Sequence, residues 1–138
     1  MNRQHILIVD EDGARSAGIA RVLRAAGYRT TERDNSLDGL MTAEEDPAAL
    51  LIVDWDLTFV SGPILVSALR AGLPEPPPVL AVIPAGIDAD AVLRAGAATY
   101  LHSPIDHEQL LARVRAIIGD ARVQKGNHPV REPGQTAP

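Results

Sequence analysis

Short apolar runs alternate with amphipathic stretches five times along this chain, and this alternation is the feature that most limits its fold. A regular succession of strand and helix signals implies a parallel sheet with helices on both faces. Strands buried in this way read as continuous apolar runs. The predicted strands are residues 5–9, 28–32, 50–53, 79–83 and 99–102. The helical stretches between and after them end near Gly27, Pro47, Gly72, Gly96 and Gly119. The second of them carries the apolar residues Leu37, Leu40 and Met41, and the fourth is predicted over about residues 87–95.

Two of the predicted strands end in acidic residues. The first leads into Asp10, Glu11 and Asp12, and the third leads into Asp54, with Asp56 two residues further on. In an open parallel sheet, ligands bind beyond the carboxyl ends of the strands, at the point where the strand order reverses. The alternation therefore predicts a flavodoxin-like (βα)5 fold, a doubly wound parallel sheet with strand order 2-1-3-4-5 and both acidic clusters at one crevice. The alternative is that these acids only begin loops.

Composition limits the class of protein. The chain has 138 residues, 46% of them apolar, no cysteine and a net charge of −5. We predict one domain over residues 1–121, followed by a disordered tail over residues 122–138 that contains Lys125, the only lysine. An acidic domain argues against direct binding of nucleic acid. The sequence has no apolar run that could span a membrane and no signal-peptide pattern, which favours a cytoplasmic location.

Three segments resemble the receiver domain of bacterial two-component response regulators. Residues 6–12 are similar to the first strand and acidic pair of that family. Residues 51–54, with Gly62 eight positions further on, resemble its phosphoacceptor strand and loop. Residues 96–101, followed by Pro104, resemble the segment around its fifth strand. The resemblance covers about residues 4–119, and its three parts occur in the family's order and spacing.

The resemblance implies a phosphorylation site. Asp54 would accept a phosphoryl group from a sensor histidine kinase or a phosphotransfer protein. Asp10, Glu11, Asp54 and the backbone carbonyl of Asp56 would hold Mg²⁺ in a weak site, in keeping with the preference of this hard cation for oxygen ligands. No other cofactor is implied. The chain would not be an enzyme, beyond accepting and losing a phosphoryl group on Asp54.

The sequence departs from the family where the phosphoryl group would be read. Ser103 stands where the family has a lysine, and Ile83 stands where it has threonine or serine. The next residue, Pro84, has no backbone N–H to donate. Without the hydroxyl group, Tyr100 loses the partner that its ring would follow in the family's switch. His102 is a candidate replacement cation, although a histidine at a strand end more often has no such role.

These departures leave three functional interpretations open. The chain could be a phosphorylatable receiver with an atypical switch. It could instead be a degenerate receiver that contacts a signalling protein, or a second copy of itself, through the face formed by helix 4, strand 5 and helix 5. The third interpretation is a small phosphatase of the haloacid dehalogenase type, in which Asp54 is the nucleophile and Asp56 the general acid/base. That signature normally lies on a first strand, whereas here it follows the third.

Overall fold

Five parallel strands form one sheet in the order β2-β1-β3-β4-β5, as the sequence predicts. This computed structural model describes residues 3–122. The strands are β1 (His5–Val9), β2 (Arg29–Arg33), β3 (Leu50–Asp54), β4 (Val79–Ile83) and β5 (Thr99–His102). The helices are α1 (Gly13–Ala25), α2 (Ser36–Glu45), α3 (Gly62–Gly72), α4 (Ala89–Arg94) and α5 (His107–Ile118).

Alternate strand residues face two separate apolar cores, because successive side chains of a strand point to opposite faces of the sheet. One core joins β1 residues Ile6 and Ile8 to α1 and α5. The other joins Leu7 and Val9 to α2, α3 and α4. The central strands β1, β3 and β4 are buried along their whole length. Burial on both faces explains why these strands are continuous apolar runs.

Aspartate or asparagine side chains cap four of the five helices described. The side-chain oxygen of each accepts a hydrogen bond from a backbone N–H in the first helical turn, which has no partner within the helix. The capping residues are Asp12 for α1, Asn35 for α2, Asp88 for α4 and Asp106 for α5. The cap at Asp12 fixes the position of the first turn of α1 beside the end of β1.

Three local features differ from the prediction. The second strand begins at Arg29 rather than at Tyr28, which is fully buried and donates a hydrogen bond from its hydroxyl group to the carbonyl oxygen of Gly119. Helix α4 is shorter than the predicted 87–95. Leu37 and Met41, which belong to the apolar pattern of α2, are exposed.

The segment after α5 returns to the start of β1. The backbone N–H of Gln4 donates to the carbonyl oxygen of Ala121, and Arg3 and Arg122 form an isolated antiparallel bridge. Apart from Arg122, the predicted tail lies outside the described residues. Among residues 3–122, no helix is long and apolar enough to cross a membrane.

Candidate functional site

The register between β1 and β3 brings Asp10 and Asp54 together. Val9 pairs with Val53, so the next residue of each strand lies at the same carboxyl edge of the sheet. Both acids are buried, Asp10 with 2% and Asp54 with 8% of its surface exposed. Ionised carboxylates are rarely buried to this extent unless they are paired. The site therefore requires a positive charge or a set of hydrogen-bond donors close by.

Backbone N–H groups supply part of this requirement. The N–H of Asp12 donates to Asp10 Oδ1 over 2.9 Å, and the N–H of Asp56 donates to Asp54 Oδ1 over 3.0 Å. In both cases the donor lies two residues after the acceptor, the geometry in which an aspartate side chain closes a turn with its own backbone. Each acidic side chain is thus held in place by the loop that follows it.

Arg15 supplies the positive charge. Its Nε lies 2.6 Å from Asp10 Oδ2 and its Nη2 lies 2.8 Å from Asp10 Oδ1, which makes a bidentate pair. The same Nη2 lies 3.2 Å from Asp54 Oδ2. The guanidinium group therefore bridges the two carboxylates that the sheet places side by side. Sequence reasoning missed this residue.

The side chains of Glu11 and Asp56 do not join this cluster. Both carboxylate oxygens of Glu11 accept hydrogen bonds from Thr58, one from its backbone N–H at 2.8 Å and one from its hydroxyl group at 2.7 Å. The side chain of Asp56 is exposed. Within residues 3–122, no group of three or more histidine, cysteine or acidic side chains is arranged to hold a metal ion. In this arrangement the guanidinium group of Arg15, rather than a third carboxylate, contacts Asp10 and Asp54. The predicted role of the Asp56 backbone carbonyl as a Mg²⁺ ligand stays a prediction.

The pKa values of the site reflect burial and pairing. Burial raises the pKa of the Asp54 carboxyl group, and the nearby charge of Asp10 raises it further. The N–H of Asp56 and the charge of Arg15 oppose this rise. The hydrogen bond to Asp10 raises the pKa of Arg15 above its ordinary value. The guanidinium group accordingly stays charged, while Asp54 is held less firmly as an anion than an exposed aspartate.

A cavity of about 380 Å³ opens over these groups. It is lined by Glu11, Asp12, Arg15, Asp54, Asp56, Val82, Pro84 and Ser103. The predicted switch positions Pro84 and Ser103 therefore do lie beside the acidic groups. Ile83, by contrast, is fully buried in the core that α2, α3 and α4 cover.

Tyr100 is half-buried against the core that contains Ile83. Its ring contacts the ring of the exposed His102 edge-on, with centroids 5.6 Å apart. His102 is not among the residues that line the cavity over Asp54. The suggested role of His102 as a replacement cation at the acidic site therefore gains no support from its position.

A family model and the curated relatives of this chain both indicate the same family. A family model described as the response regulator receiver domain matches residues 6–115. The transcriptional regulatory protein PcoR of Escherichia coli is 34% identical over 122 residues, which cover 88% of this chain and 54% of PcoR. The transcriptional regulatory protein PrrA of Mycobacterium tuberculosis is 32% identical over 82% of this chain and 49% of its own length. This chain thus spans about half the length of these curated relatives.

Solved structures agree with this result. A crystal structure of a putative response regulator from Chloroflexus aurantiacus superposes with a TM-score of 0.79 and 28% identity, covering 85% of this chain and 98% of that one. The crystal structure of the NtrX receiver domain from Brucella abortus gives a TM-score of 0.77, with 82% of this chain and 97% of that chain covered. At 21% identity, the second comparison supports the fold alone.

Proposed function

Because this chain belongs to the receiver-domain family of response regulators, we propose that it is a signalling module whose output is a contact with another protein and whose phosphorylation switch is degenerate. The observation that carries the proposal is the lining of the cavity over Asp54, where Pro84 and Ser103 occupy two of the positions that would grip a phosphoryl group. The acceptor position is retained, while the groups that would read its modification are replaced.

Asp54 is the proposed phosphoacceptor. Its position at the end of β3, buried but open to the cavity, supports this role. Receiver domains as a family are signalling modules rather than enzymes, and we propose nothing beyond acceptance and loss of a phosphoryl group here. A phosphatase of the haloacid dehalogenase type is not proposed, because the chain belongs to another family and its aspartate pair follows the third strand.

Three hydrogen-bond donors that would hold a phosphoryl group are missing from the site. A lysine at position 103, a hydroxyl group at position 83 and an N–H at position 84 would each donate to a phosphoryl oxygen. Ser103, Ile83 and Pro84 remove the lysine, the hydroxyl group and the N–H respectively. At about 0.5–3 kcal/mol for each hydrogen bond, the three together would account for roughly 3–6 kcal/mol. Because these donors are missing, we expect the ring of Tyr100 to keep its rotamer when Asp54 is modified.

The proposed partner is a sensor histidine kinase, a phosphotransfer protein or another signalling protein, bound at the face formed by α4, β5 and α5. Receiver domains generally interact with kinases or phosphotransfer proteins. In these elements Leu93 of α4 is 40% exposed, and His102 of β5 is also exposed. We do not propose DNA binding by the described part, although the relatives PcoR and PrrA are transcriptional regulatory proteins and extend beyond the matched region.

The test compares exposed leucines on two helices. Tagged wild-type protein, Asp54→Asn, Leu93→Asp and Leu37→Asp are used to capture proteins from cells that carry the gene, with quantitative mass spectrometry as the readout. Leu37 is the matched control, because it is 65% exposed on α2, away from the proposed face. We expect wild type, Asp54→Asn and Leu37→Asp to enrich the same proteins, and Leu93→Asp to lose them.

Two results would contradict the proposal. Loss of the enriched proteins in Asp54→Asn would show that binding depends on the acceptor and hence on phosphorylation. Retention of these proteins by Leu93→Asp, together with their loss in Leu37→Asp, would place the contact on a different face of the domain.

A further inference from the structure

We propose that Arg15 is a built-in cation that takes the place of the divalent metal ion between Asp10 and Asp54, so that this pocket is closed to Mg²⁺ until the arginine is removed. The inference goes beyond the proposed function, because it holds whether or not Asp54 is phosphorylated and whichever protein is bound. It rests on the contacts of Arg15, Asp10, Asp54 and Glu11.

The four oxygen atoms of the Asp10 and Asp54 carboxylates all have partners within the chain. Asp10 Oδ2 accepts from Arg15 Nε, and Asp10 Oδ1 accepts from Arg15 Nη2 and from the N–H of Asp12. Asp54 Oδ1 accepts from the N–H of Asp56, and Asp54 Oδ2 lies 3.2 Å from Arg15 Nη2. Every one of the four oxygens therefore already has a donor or cation from the chain itself. A metal ion would have to displace at least the arginine.

A third carboxylate ligand for Mg²⁺ would have to come from Glu11. A carboxylate site for Mg²⁺ needs oxygen ligands in a near-octahedral arrangement, with water filling the remaining positions. Glu11 would be the next carboxylate available, but Thr58 donates to both of its oxygens. Moving the Glu11 carboxylate onto a metal ion would disturb these two hydrogen bonds as well. The site thus lacks a ligand that is free to move to a metal without loss.

The positive charge of Arg15 is always present at this site. A guanidinium group is charged at every physiological pH, and its planar fork matches a carboxylate in a bidentate pair. The side chain of Arg15 is 23% exposed, so the pair is partly shielded from water. The residue also lies in the first turn of α1, where its N–H donates to the capping carboxylate of Asp12. The cation is therefore tethered next to the site rather than recruited from solvent.

The experiment is a titration with MgCl₂ alone, without phosphodonor or partner. Isothermal titration calorimetry gives the affinity, and the fluorescence of Trp55, which adjoins Asp54 in the chain, gives an independent signal. We expect Arg15→Gln to bind Mg²⁺ at least tenfold more tightly than wild type, a difference of about 1.4 kcal/mol. Arg21→Gln removes the same charge from an exposed position of the same helix and should match wild type.

Equal Mg²⁺ affinity in wild type and Arg15→Gln would overturn the inference. Addition of Asp54→Asn to Arg15→Gln should abolish the gain, and a gain that survived would place the metal elsewhere and contradict it too. If Arg15→Gln does not fold, Arg15→Lys keeps the charge but loses the fork, and it should bind Mg²⁺ severalfold more tightly than wild type, with equal affinity again contradicting the inference. Because the titration contains neither phosphate nor partner, its failure would leave the protein-contact function untouched.

Discussion

Gly62→Ala should lower the free energy of unfolding by about 2–3 kcal/mol, the upper part of the roughly 1–3 kcal/mol that is typical for forcing an extra carbon into a filled space. Gly62 is the first residue of α3, and a Cβ atom there would lie 2.9 Å from both Cα and Cε3 of Trp55. The carbonyl oxygen of Asp54 would be only 3.1 Å away. Two of these three neighbours are backbone atoms of the last residue of β3 and of the residue after it, so the strand end or the helix must move.

Thermal unfolding followed by circular dichroism measures this effect, which corresponds to a fall in Tm on the order of 10 °C for a domain of this size. Gly72→Ala is the matched control, because it lies at the other end of α3 with no atom within 4 Å of the added carbon. Alanine is also the better helix former, so this control should leave the Tm unchanged or raise it slightly. Similar Tm values for the two variants would show that α3 does not need close contact with the Asp54 loop.

Arg15→Gln should lower the free energy of unfolding by about 1–3 kcal/mol at pH 7 in the presence of a chelator, because removing one partner leaves largely buried carboxylates unpaired. The expected value lies below that for a fully buried pair, since the side chain of Arg15 is 23% exposed. Chemical denaturation with urea measures the difference, and Arg21→Gln again serves as the control for loss of charge on α1.

The loss of stability in Arg15→Gln should grow as the pH rises. A carboxyl group whose pKa is higher in the folded than in the unfolded state contributes stability below the unfolded value, and this contribution is lost as the pH rises through the folded value. Burial already raises the pKa of Asp54, while Arg15 opposes the rise. Without Arg15 the rise should be larger. The variant should therefore approach wild-type stability below about pH 4, near the ordinary pKa of aspartate, and fall behind as the pH increases to 7.

A second substitution separates electrostatics from packing. Asp54→Asn removes one of the two carboxylates, so Arg15→Gln combined with Asp54→Asn should recover most of the stability lost at pH 7. A loss in Arg15→Gln that is the same at every pH, and that Asp54→Asn does not relieve, would mean that Arg15 stabilises the domain through its aliphatic part rather than through its charge.

The strands were predictable because burial on both faces of the sheet leaves a strong signal. The bounds of β1, β4 and β5 agree with the sequence pattern, and the strand order follows from the regular alternation with helices. The edge strand β2, with the polar sequence Arg-Thr-Thr-Glu-Arg, was placed one residue early because its apolar signal is weak. The fold is thus largely contained in the periodicity of apolar residues.

The acidic site was predictable only in part. Two acids that end neighbouring strands must meet, so the pairing of Asp10 with Asp54 follows from topology. The position of Arg15 depends on where α1 begins, and the sequence offers several arginines on that helix. Its spacing of five residues from Asp10, after a cap at Asp12, is the signal that could have singled it out. The hydrogen bonds that Thr58 donates to Glu11 join residues 47 positions apart and leave no sequence signal.

The central claim is that binding of a metal ion or modification of Asp54 leaves the conformation of the proposed contact face, formed by α4, β5 and α5, unchanged. The most direct measurement is a two-dimensional ¹H–¹⁵N NMR titration with Mg²⁺ and beryllofluoride, which mimics a phosphoryl group on an acidic side chain. Arg15→Gln is titrated beside wild type, so that exclusion of the metal cannot by itself explain a negative result. We predict that wild type shows only small shifts, because Arg15 occupies the site, and that the larger shifts of Arg15→Gln are confined to the loops that follow β1 and β3. In both proteins Tyr100 and α5 should be unmoved. Saturable binding with shifts that extend from Asp54 through β5 to α5 would contradict the account and restore a working phosphorylation switch.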